Sequence, residues 1–159
     1  MRIPFLTSLV LLGLQSCLRP PDYPLEPVIG FVRMSKDSMV QNQFNTDSLQ
    51  ITLSFTDGDG DIGRESGEFD LYLTDTRDNF SPPAYRLPKV PEQGIGNGIS
   101  GEISFVVFTT CCYFPNGLDP CSPSTEFPVD TLRYQIYLKD RAGRQSNLLL
   151  TPPIRLLCR

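Results

Sequence analysis

Asp57, Asp59 and Asp61 alternate with Gly58 and Gly60 in the stretch FTDGDGDIG, residues 55–63. Carboxylates at alternate positions repel one another unless something positive stands between them. Glycine lets the intervening backbone curl tightly, so successive side chains can turn toward one centre. Calcium takes about six to eight oxygens from carboxylates, main-chain carbonyls and water. The pattern therefore predicts a structural Ca2+ loop. A metal-free tight turn is the competing reading, because Asp-Gly is a favoured turn pair. An EF-hand does not fit. Counting from Asp57 puts Glu68 where the last ligand belongs, but Ile62 stands where such a loop needs glycine, and both flanks alternate as strands do.

The remaining composition narrows the chemistry. There is no histidine, which removes Ser-His-Asp and Cys-His catalysis and imidazole-bound zinc. No spacing of acids, serines or lysines marks another catalytic arrangement, so no catalytic residue and no enzymatic activity are expected. With 14 basic and 18 acidic residues the net charge is −4. That argues against nucleic acid as a partner, because phosphate binding needs a basic face.

Residues 1–16, MRIPFLTSLVLLGLQS, carry a lone Arg2, an apolar centre and a small residue before Cys17. The apolar run is shorter than the roughly 20 residues of a spanning helix and has the form of a secretory signal. Leu14-Gln15-Ser16-Cys17 resembles a bacterial lipobox, with Gln15 departing from the small residue most common at its position. The resemblance implies cleavage before Cys17 and palmitate-type acylation of its thiol. Such chains hold a protein at a membrane surface. Leu18–Pro27 contains four prolines and reads as a stiff, extended tether. No acidic run follows Cys17, so the membrane face stays open. The organisation expected is a signal peptide over 1–16, an acylated cysteine and tether over 17–26, and one folded domain over 27–159.

With Cys17 set aside, Cys111, Cys112, Cys121 and Cys158 remain. An even number in an exported chain predicts disulfides. Adjacent cysteines rarely meet disulfide geometry, so Cys111 and Cys112 are expected to take different partners. The spacing does not match a zinc ribbon.

Apolar and polar residues alternate through most of the chain, the period of half-buried strands. Strands are expected at A (27–34), B (48–55), C (69–75), D (85–90), E (101–110), F (131–139) and G (148–157). Inward positions are Leu49, Ile51, Leu53 and Phe55 in B, then Phe69, Leu71 and Leu73 in C. In E they are Ile103, Phe105 and Val107, and in F they are Leu132, Tyr134, Ile136 and Leu138. Val106 and Phe108 predict cover on both faces of E. Pro152 and Pro153 predict a jog in G, and Pro88 marks D as an edge. No window after Cys17 shows a helical period. The fold expected is all-β, an immunoglobulin/fibronectin-like β-sandwich of about seven strands. The tryptophan and the B–F cysteine pair of antibody domains are absent, so the likeness is to the broad fold.

Strands alternating in direction place the B–C and F–G loops at one pole, beside the start of A. That gathers Asp57, Asp59, Asp61, Asp140, Asn147 and Glu26 as the candidate metal ligands. The ends of E and G fall at the other pole, so Cys158 is expected to join Cys111 or Cys112, with the other closing onto Cys121. The agreement requires D to be a strand, since a mere loop there would invert every later direction.

The phrases FTDGDGDIG and LKDRAGRQSN, with the lipobox, resemble those of Bacteroidota-type lipid-anchored envelope proteins with Ig-like domains. The resemblance covers most of the chain after Cys17. It implies a cell-envelope location, as an outer-membrane lipoprotein, and the fold more than an activity; the function expected is a non-enzymatic module that binds or scaffolds another envelope protein. The alternative is a carbohydrate-binding accessory lipoprotein with a glycan partner. Glycan sites favour exposed aromatic platforms; the chain has no tryptophan, and only Tyr72, Tyr113 and Tyr137 read as outward.

Overall fold

Alternation becomes nine strands among the described residues: β1 Val28–Met34, β2 Ser38–Val40, β3 Ser48–Asp57, β4 Leu71–Asp75, β5 Ile99–Phe108, β6 Val129–Leu132, β7 Tyr134–Leu138, β8 Leu149–Leu150 and β9 Ile154–Leu157. The computed structural model describes residues 22–159 apart from 80, 82, 83, 92 and 95. The signal peptide, Cys17 and most of the tether lie outside the described residues. The described chain is all-β and holds no helix.

The strands form three small sheets, ordered β1-β3-β5, β2-β9-β6 and β4-β7-β8. Their pairings are antiparallel, except that β2 lies parallel to β9. Leu49, Ile51, Leu53, Leu71, Leu73, Ile103, Phe105, Val107, Leu132, Tyr134, Ile136 and Leu138 all meet in one buried cluster. Period-two patterning therefore fixed which face of each strand turns inward.

The long strands F and G each run through two sheets. Only Arg133 separates β6 from β7, and Thr151–Pro153 separate β8 from β9. Leu132 pairs with Ile154 and Gln135 with Leu150, so three residues on one strand oppose two on the other. This bulge follows from Pro152 and Pro153, which have no N–H to give a ladder. Thr151 closes the gap. Its N–H donates to the Tyr134 carbonyl at 2.9 Å, and its Oγ1 accepts from the Tyr134 N–H at 3.0 Å.

Four expectations need correction. Strand D over 85–90 reduces to a single bridge between Tyr85 and Leu71. Its backbone donors have other partners: Leu87 N–H bonds Asp70 Oδ2 at 2.8 Å, Val90 N–H bonds the Ile62 carbonyl at 3.0 Å, and Pro88 has none to offer. The later directions nonetheless do not invert. Residues 76–98 still carry the chain from the end of β4 to the start of β5, where Ile99 lies opposite Asp57. A crossing segment preserves alternation whether or not it makes a ladder. Phe69 was expected inward but is 45% exposed, with the Arg86 guanidinium 5.5 Å from its ring; it precedes β4 and escapes the pleat. Val106 and Phe108, 41% and 51% exposed, leave the outer face of β5 uncovered. Finally, β2 was not foreseen. It is three residues long, too short to show a period, and its partner β9 lies near the other end of the sequence.

Cys111 pairs with Cys121, and Cys112 with Cys158. The second bond is fully buried and joins the end of β5 to the end of β9.

Candidate metal centre

Asp57 is the last residue of β3, and Asp140 stands two residues past the end of β7. These strands belong to different sheets, and the loops that follow them meet at one pole. Between Asp57 and Gly63 the chain is held by main-chain bonds on several sides. Gly94 N–H donates to the Asp59 carbonyl at 3.1 Å, Arg141 N–H to the Asp61 carbonyl at 3.2 Å, and Val90 N–H to the Ile62 carbonyl. The Arg141 guanidinium Nη1 reaches the carbonyls of Ile62, Gly63 and Val90, each at 3.0 Å.

The glycines have a second purpose beyond turning. A Cβ on Gly58 would stand 2.5 Å from the Tyr23 carbonyl oxygen and 2.6 Å from that of Pro24. Gly63 has φ +77°, and a Cβ there would overlap the Pro88 carbonyl oxygen. Aspartates turn in while glycines let neighbouring backbone press against the loop.

The four side chains Asp57, Asp59, Asp61 and Asp140 are all buried, and each offers one oxygen within 4.8 Å of the others. Three are held alike. Asp57 Oδ2 accepts from Asp61 N–H at 2.9 Å, Asp61 Oδ2 from Ala142 N–H at 3.0 Å, and Asp59 Oδ2 from Arg144 Nη1 at 2.8 Å. The Oδ1 atom of each of these three is buried with no hydrogen-bond partner. Asp140 differs: its Oδ1 accepts from Arg144 N–H at 2.7 Å and its Oδ2 from Arg144 Nη1 at 3.2 Å.

Burial and mutual repulsion show in the titration of the loop. Burial pushes the Asp57 carboxyl up to about 6, with the charges of Asp61, Asp59 and Asp140 adding to the rise and the Asp61 N–H opposing it. Asp61 is raised as well, by burial first and then by the charges of Asp140 and Asp59. One guanidinium, Arg144, bonds two of the four carboxylates and leaves Asp57 and Asp61 without a cationic hydrogen-bond partner. Buried carboxylate charge without enough positive charge is costly.

A hard divalent cation fits this donor set, which is all oxygen with no thiolate or imidazole. Four carboxylates would supply one oxygen each to such an ion.

Asp57, Asp59, Asp61 and Asp140 converge as the loop topology predicts. The two other predicted ligands do not join them. Asn147 closes a two-way bond with the backbone of Ile29, accepting from its N–H at 2.8 Å and donating to its carbonyl at 3.0 Å. It ties the start of β1 to the F–G loop. Glu26 is exposed and outside the cluster, because the chain before β1 turns its backbone, not this side chain, toward the loop. The arginines were missed. Arg144 and Arg141 belong to the phrase KDRAGR, where basic residues one and four positions after Asp140 were the available signal. Arg64 was missed too. Its Nε donates to buried Asp70 at 2.9 Å and its Nη2 to the Asp140 carbonyl, which locks the B–C loop against the F–G loop.

No protein-family model matches this chain, and comparison with curated proteins and with solved structures finds no match.

Proposed function

We propose that this chain is a lipid-anchored cell-envelope protein whose Ig-like domain binds or scaffolds another envelope component and carries a structural calcium ion. The single observation behind the metal is the set of three buried carboxylate oxygens, on Asp57, Asp59 and Asp61, that no donor among the described residues satisfies. The orders β1-β3-β5 and β4-β7-β8 correspond to A-B-E and C-F-G of an Ig-like β-sandwich, which supports the finer reading of the fold. The lipobox-like Leu14–Cys17 supports the anchor, and two disulfides suit an oxidising compartment. The absence of histidine favours a binding role over a catalytic one. The calcium ion would be structural, tying the B–C loop to the F–G loop.

The carbohydrate-binding alternative is weakened by the tyrosines it would use. Tyr72 and Tyr137 stack on each other, ring centres 4.9 Å apart and 8° from parallel. Tyr113 has Arg77 4.6 Å above its ring and donates its hydroxyl to Asp78 at 2.6 Å. At least one face of each ring is already occupied, which leaves a poorer sugar platform.

Thermal unfolding with calcium and with chelator tests the metal reading. Calcium at about 100 times its Kd should add about 2.7 kcal/mol. Asp59→Asn should blunt that gain; superimposable curves in calcium and chelator would refute the site.

A further inference from the structure

We propose that cation occupancy of the acidic loop fixes the strap Tyr23–Pro24, so that the cation governs how firmly the segment entering the domain is held. The inference rests on the metal reading above.

Two observations place the strap on the loop. Gly58 lies between two cluster aspartates, and the carbonyls of Tyr23 and Pro24 stand 2.5 and 2.6 Å from where its Cβ would be. Only a hydrogen fits there. The ring of Tyr23 lies on Gly98, with Cδ2 at 2.7 Å from that residue's Cβ position and the Asp57 carbonyl oxygen 3.0 Å from the same point. The strap thus packs against the backbone on both sides of Asp57. Among hydrogen bonds, the next anchor along the chain is the pair between Ile29 and Asn147.

The coupling is steric. Asp57 and Asp59 cannot separate without moving Gly58, and Gly58 cannot move without displacing the strap. Without a cation, four buried carboxylates face the guanidinium of Arg144, which bonds two of them, and at longer range that of Arg141, and the remaining repulsion favours opening of the loop. A divalent ion reverses that balance and draws the carboxylates together, restoring the surface on which Tyr23 and Pro24 rest. Rigid interiors transmit such small shifts because packed contacts do not deform continuously.

Two readouts on the full chain in detergent keep this inference distinct from the metal reading. Titration calorimetry with calcium chloride reports binding. Amide hydrogen exchange at Tyr23, Leu25 and Glu26 reports the strap. Calcium should produce binding heat and slow exchange at these amides by on the order of ten-fold or more. Tyr23→Ala should keep the binding heat and lose most of the calcium-dependent protection at Leu25 and Glu26. Binding heat with unchanged exchange would overturn the strap and leave the metal site standing. Absence of binding heat would overturn both. Full calcium-dependent protection in Tyr23→Ala would also overturn the strap.

Discussion

Acidifying the calcium-free protein from about pH 7.5 to about pH 5 should stabilise it, and calcium should reverse the sign. The reasoning starts at Asp57, whose carboxyl rises from 3.8 to about 6 on folding. A raised acid binds its proton more readily in the folded state. Its contribution to stability is therefore complete below the unfolded value and lost as pH rises through the folded one. Linkage over these two values gives a gain of about 1.4 kcal/mol on going from pH 7.5 to 5. Asp61, raised for the same reasons, adds in the same direction. For a domain of this size the gain corresponds to a rise in Tm of roughly 4–7 °C. A bound calcium ion inverts the linkage, because it requires the ionised carboxylates, and acid then displaces it. Thermal unfolding across this pH range, with chelator and with excess calcium, gives two slopes of opposite sign. Asp57→Asn serves as the control and should flatten the chelator slope. Chelator and calcium slopes of the same sign, or a wild-type slope shared by Asp57→Asn, would refute the argument.

Other perturbations probe separate parts of the structure. Gly63→Ala should cost about 2–4 kcal/mol, from positive φ and collision with Pro88 together, and would be read by urea unfolding. Cys158→Ser should cost about 4 kcal/mol and Cys121→Ser about 3, following the loop lengths each bond closes; non-reducing peptide maps should show the Cys111–Cys121 pair opening first under mild reductant, since both its cysteines are partly exposed and the other pair is buried. Thr151→Val should cost about 1–3 kcal/mol, because it leaves the buried Tyr134 N–H without its acceptor; a neutral result would mean that the bulge closes without the threonine hydroxyl.

The inward face of each long strand was legible because burial on one face imposes a period of two, as Leu132, Tyr134, Ile136 and Leu138 show. The convergence of Asp57, Asp59 and Asp61 on Asp140 followed from strand direction alone. What did not follow was local competition for backbone donors. Residues 85–90 look like a strand, yet Asp70 and the Ile62 carbonyl take the N–H groups that a ladder would need. Asn147 and Glu26 belong to segments near the correct pole, but proximity of a segment does not set the direction of a side chain. Carboxylate spacing alone carries no sign of Arg144 and Arg141, because the groups that hold a centre together need not follow the pattern of its ligands. The partition of Cys111 and Cys112 between Cys121 and Cys158 depends on which side of the chain each thiol leaves, a matter of one residue's rotation.

The placement of β9 between β2 and β6 bears on when the molecule acquires its shape. A ribosome delivers residues 38–40 and 129–132 long before residues 154–157, and until those last four emerge neither earlier strand has its ladder partner. The native form of this sheet must therefore wait for β9, whereas the β1-β3-β5 sheet needs no residue beyond Phe108. The two outer strands of that later sheet stay unpaired until the central one arrives, so its assembly is the late step in shaping the molecule.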